Sequence, residues 1–172
     1  ALAYGPNLND VNPKDRERLA FEFIQQAKQK KEKAAPVEKD LIDALATRYD
    51  GHPHEVRDTL NEAYAAAMLA LTRKYPGESE VLTLAADAIM NTMPWDYWQK
   101  DGSPKAATAE AKQLLEETLK KFPEHAGAHH LYIHLVEASD RPEQGLPSAK
   151  FLEDAMPGAG HLVHMPAHIY IR

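Results

Sequence analysis

Two histidine pairs with the same spacing are the residues of this sequence best placed to do chemistry. His130 and His134 are four apart, and so are His164 and His168. That spacing puts both side chains of a pair on one face of a helix. Glu137, three residues after His134, falls on the same side and can ligate a metal or orient a ring. The second pair follows the first by 34 residues. If the two helices are neighbours, at the usual axial separation of about 8–10 Å, four imidazoles converge on one point. Imidazole nitrogens with a carboxylate suit Zn²⁺, Cu²⁺ or Ni²⁺. Two further readings stay open. One is a metal-free polar groove that hydrogen-bonds an acidic or peptide ligand and responds to pH. In the other, the histidines bond across helices and pack.

Other chemistries are excluded or lack their motif. The chain has no cysteine, which rules out disulfides, thiolate catalysis and Cys-ligated zinc, and leaves the redox compartment unread. There is no Gly-rich phosphate loop and no His-Glu-x-x-His, so no base sits on the metal helix as in a metalloprotease. Ser139 and Ser148 have no recognisable elbow, and Glu116-Glu117 reads as a charged helix face. Most of the nine histidines lie between residues 125 and 168. His129 follows His125 and directly precedes His130, so it points about 100° away and faces a partner helix or solvent. His52 and His54 bracket Pro53 in a turn.

The elements that position these residues are helices. Alanine and leucine dominate the apolar set, which favours helices and close helix packing. Stripes such as Leu60, Tyr64, Met68 and Leu71 recur every three to four residues. The pattern predicts helices over 13–32, 37–50, 54–75, 78–92, 105–121, 126–139, 145–155 and 160–172. Pro13 and Pro36 mark helix starts; Pro76, Pro123 and Pro157 mark stops. Pro123 and Pro157 are 34 residues apart, each after an apolar residue (Phe122, Met156) that ends a helix. Pro76 precedes Pro123 by 47 residues, a surplus of 13 over that period, and Arg73-Lys74-Tyr75-Pro76 matches Lys120-Lys121-Phe122-Pro123. The surplus fits a non-helical stretch from Pro94-Trp95-Asp96-Tyr97-Trp98 through Ser103. The chain therefore reads as one helical-repeat domain, 1–172, with irregular helices over 1–53, repeats over 54–172 and an insertion near 94–104.

A 34-residue helix–turn–helix period closed by a proline resembles the tetratricopeptide repeat. The resemblance covers about residues 55–172, without that family's first-helix aromatic signature. The wider layout is similar to a family of larger, mostly uncharacterised bacterial tetratricopeptide proteins. The matching stretches are Ala3 to Asn7, Met93-Pro94-Trp95-Asp96, His130 to Ser139, and Gly160-His161-Leu162-Val163-His164-Met165-Pro166. On that resemblance the chain looks like a fragment of a longer protein.

The resemblance implies an all-α, right-handed solenoid of antiparallel helix pairs, with ligands held in a concave groove. His130, His134, His164 and His168, with Glu137, would line that groove. Thr83 and Asp87 occupy the equivalent positions one repeat earlier, 47 residues before His130 and His134. His161 flanks the cluster, and Trp95 and Trp98 would plug or wall the groove. The implied role is a scaffold that binds a protein or peptide partner or associates with itself. The alternative is a metal-dependent enzyme or a metal-delivery protein using the same cluster.

Composition narrows the partners. Net charge is −6, which argues against a general nucleic-acid binder. The basic run Lys28 to Lys33 sits at a helix C-terminus, where it complements the dipole. No apolar run approaches the ~20 residues of a membrane span. No signal peptide is visible, and bacterial cytoplasm and periplasm both remain open.

Overall fold

The computed structural model describes residues 1–11, 14–54 and 56–172. Among them the chain is all-helical, with no β-strand beyond two isolated bridges. It divides into two compact units, Ala1–Trp95 and Asp96–Arg172.

The first unit contains α1 (Glu17–Lys30), α2 (Pro36–Ala46), α3 (Asp58–Lys74) and α4 (Ser79–Met90), each packed on the next. Pro36 opens α2 as expected of a proline at the first helical position. Glu38 Oε2 accepts the Ala35 backbone N–H there at 2.8 Å. The start predicted at Pro13 lies outside the described residues. Two predicted ends move inward where side chains bond to nearby groups of the chain. The Thr47 hydroxyl donates to Ala44 O, closing α2 before residue 50. Tyr49 then leaves the helix and donates to Gly5 O at 2.6 Å. In the segment before α3, Asp50 accepts the His52 N–H and pairs with His54, so that helix begins at Asp58 rather than 54.

The second unit contains α5 (Ala106–Lys121), α6 (Ala126–Val136), α7 (Leu146–Ala155) and α8 (Gly160–Tyr170). Helix α6 packs against α5, α7 and α8, and α7 packs on α8. Its core is built by Ala111, Leu115, Ile133, Leu135, Leu152 and Met165, all fully buried. Helix α6 stops at Val136, and the Ser139 hydroxyl bonds back to the Val136 carbonyl at 2.6 Å. Gly145 lets α8 come close: a Cβ there would meet the Ile169 side chain at 2.6 Å.

One turn recurs three times. The residues that end α3, α5 and α7 (Tyr75, Phe122 and Met156) have φ/ψ of −129/60, −132/72 and −142/70. Each precedes a proline, whose ring drives its predecessor out of the α-helical region. The hairpins α3–α4, α5–α6 and α7–α8 are therefore closed by the same device.

The predicted insertion is non-helical over 94–104. The unit boundary falls inside it, so its aromatics part company. Trp95, at φ 65, donates its indole N–H to Leu8 O in the first unit and is 48% exposed. Trp98 donates to Leu135 O at 2.8 Å in the second. Tyr97 is the aromatic that fills the core, 1% exposed, and its carbonyl accepts from Thr108.

Candidate metal centre

Two helices supply the centre, α6 from one hairpin and α8 from the next. On α6 the four-residue spacing brings the rings of His130 and His134 to 4.8 Å between centroids. On α8, His164 and His168 approach to 5.2 Å, with Nε2 atoms 3.2 Å apart. The two pairs converge, His134 and His168 lying 5.2 Å apart. His161 completes the group. Its Nε2 is 2.9 Å from His130 Nε2, and its ring is 4.8 Å from that of His164. The five imidazoles thus form a closed loop in the order 130, 134, 168, 164, 161.

Glu137 ties the loop to both helices. Its Oε1 accepts from His134 Nδ1 at 3.0 Å and its Oε2 from His168 Nδ1 at 2.8 Å. Arg172 stands 3.6 Å from the same Oε2. Burial by itself would raise the Glu137 carboxyl, but the hydrogen bonds from His134 and His168 outweigh it and hold it below the usual carboxylate range. An ionised Glu137 can only accept, so each Nδ1 it contacts carries a proton. In the neutral imidazole that leaves Nε2 with the lone pair.

The loop has a buried floor and an open rim. His134 is 2% exposed and Glu137 7%, while His161 and His164 are solvent-exposed. Burial, with the neighbouring rings adding to it, pushes His130 down to about 3. His161 is lowered for the same reasons. Both rings therefore present neutral nitrogens near neutral pH. Two sets of donors lie within 4.8 Å of one another: His130, His134 and His161; and His134, Glu137 and His168. These residues are close enough to hold a metal ion.

The other candidates are not among these donors. Thr83 and Asp87 are on α4 in the first unit. Burial raises the Asp87 carboxyl against the opposing pull of Arg48 and Asn91, and its Oδ1 accepts the Asn91 amide at 3.0 Å. Trp98 belongs to the second unit but engages the α6 C-terminal carbonyl of Leu135. His125 caps α6, accepting the Ala128 N–H at 3.1 Å. His129, one residue from His130, faces α7: it bonds the Ser148 hydroxyl and Pro123 O, both at 2.8 Å, and stacks on Phe151. It lines a cleft of about 460 Å³ with Tyr132 and Pro147 that contains none of the five loop histidines.

His161, expected to flank the cluster, stands among the donors. The signal was present: 161, 164 and 168 share one helical face by three- and four-residue spacing. No family model, curated protein or solved structure matches this chain. Among the described residues no helix is long and apolar enough to cross a membrane.

Proposed function

We propose that this chain is a helical-repeat metal-binding module of tetratricopeptide type. Its second unit holds a divalent transition-metal ion through His130, His134 and His161, with Glu137 orienting His134 from behind. The deciding observation is the approach of His130 and His161, from different hairpins, to 2.9 Å between Nε2 atoms. Ligands of a tetrahedral ion at 2.0–2.1 Å lie about 3.3 Å from one another, so modest ring rotations would seat a metal. A neutral nitrogen set of this kind favours Zn²⁺, Cu²⁺ or Ni²⁺. The carboxylate behind His134 is the usual outer support of a metal-bound imidazole.

The same turn before Pro123 and Pro157 supports a stack of the two equivalent hairpins of the second unit, α5–α6 and α7–α8. In such a stack the metal bridges two consecutive repeats, fastening α8 to α6. A metal-dependent enzyme is the second reading, favoured by the exposed rim at His161 and by a donor set of three, which leaves a fourth position for water.

The test is calorimetric titration of the purified full chain with Zn²⁺ at neutral pH, paired with elemental analysis. One equivalent is expected, and His134→Ala should lose it. Wild-type protein that takes up no metal would end this reading.

A further inference from the structure

The seat described above uses three of the five rings. His164 and His168 are left over, and they repeat the same arrangement. Their Nε2 atoms are 3.2 Å apart, near enough for small ring rotations to bring both onto one ion.

Glu137 accounts for the duplication. One of its oxygens takes the Nδ1–H of His134 and the other takes that of His168. A single carboxylate thus holds two rings in the same tautomer, each with its Nε2 turned away from the carboxylate. The Nε2 of His168 meets His164, while the His134 ring stands beside His130 and His161. Six donor groups exceed the four that one tetrahedral ion takes.

Charge decides which ion suits a pair of seats. The donors are imidazoles. The single carboxylate is engaged by two N–H groups and has the Arg172 guanidinium 3.6 Å away. Among the described residues no other carboxylate joins either donor set. Two dications at a given separation repel four times as strongly as two monocations. Imidazole suits copper, and copper(I), a monocation, forms two- and three-coordinate complexes with neutral nitrogen donors alone.

We infer that the loop is a two-ion seat for copper(I), one ion at His130, His134 and His161 and a second at His164 and His168, with Glu137 as the outer carboxylate common to both. This rests on the metal-binding reading above and extends it. Dications fill the first position alone; monovalent copper fills both. The exposed rim formed by His161 and His164 is the side from which ions enter.

The experiment is an anaerobic titration of the full chain with Cu⁺ against the chelator bicinchoninate, beside the Zn²⁺ titration. Wild type should withdraw two equivalents of Cu⁺ but bind one of Zn²⁺. His164→Ala, an exposed position, should fall to one Cu⁺ and keep its Zn²⁺. His168→Ala serves as a second variant, with far-UV circular dichroism as the folding control for both. Glu137→Gln should weaken both copper equivalents by roughly 10–100-fold. Wild type saturating at one Cu⁺ while still binding Zn²⁺ overturns the two-ion seat and leaves the simpler metal reading standing. Two Cu⁺ retained by His164→Ala and His168→Ala overturns the assignment of the second seat. Failure to bind either ion overturns both.

Discussion

The two units bury polar groups in opposite ways. The first hides two guanidinium groups and a carboxylate. Glu17, Arg48 and Arg57 are 2%, 0% and 4% exposed. Arg57 pairs with Glu17 and donates a second hydrogen bond to Arg48 O, while the Arg48 guanidinium lies 4.8 Å from the Tyr64 ring. The second unit gathers imidazoles around one carboxylate. A buried guanidinium stays charged and needs constant company, so the first cluster has one state and serves the fold. An imidazole can be neutral, protonated or metal-bound, so the second cluster has several states and can carry a function.

Five experiments break or sharpen that contrast. The largest effect is expected in the first unit. Glu17→Ala strands Arg57 in the core and should cost about 3–5 kcal/mol, read by denaturant unfolding or by hydrogen exchange of α1 and α3. Added metal should not restore it. Rescue by metal would mean that the units do not differ as described.

Next comes metal itself. At about 100-fold excess over its Kd, Zn²⁺ should stabilise the second unit by about 2.7 kcal/mol, seen as slowed exchange in α6 and α8, and His134→Ala should abolish the gain. Without metal the same unit should be acid-labile. His129, His130 and His161 have pKa values lowered by burial. The unfolded chain, with histidines near 6.5, takes up protons first. Stability is therefore present above about pH 6.5 and is lost as pH falls toward the folded values. Thermal melts at pH 7.5 and 5.5 check the sign.

A smaller effect is expected from Gly145→Ala. Its Cβ would press on Ile169 of α8 and Val136 of α6. Overpacking of this kind costs about 1–2 kcal/mol, and by shifting α8 it should also weaken Zn²⁺ binding. Unchanged affinity would show that the rings adjust independently of the helix. Smallest of all is His54→Ala, which removes a partly exposed pair with Asp50. It should change stability by less than about 0.5 kcal/mol and leave metal binding untouched.

Much of the fold was legible because helices are local. The prolines at 36, 76, 123 and 157 act on their immediate neighbours, and they bound helices as expected. Ends set by side-chain bonds, such as Thr47 and Ser139 onto helix carbonyls, were less visible, since either hydroxyl has other options. The non-helical stretch 94–104 was foreseen, but not that Tyr97 rather than an indole would fill the core. Backbone hydrogen bonding within a helix dictates that residues four apart share a face. The sequence by itself therefore determined the pairs His130/His134 and His164/His168. Only tertiary structure decided that His161 closes the loop onto His130 and that Glu137 clamps His134 and His168 from both sides. The His161–His130 and His168–Glu137 contacts each join residues 31 apart in the chain. They depend on how closely α8 settles against its neighbours at Gly145, a matter of side-chain packing between helices that no local spacing specifies.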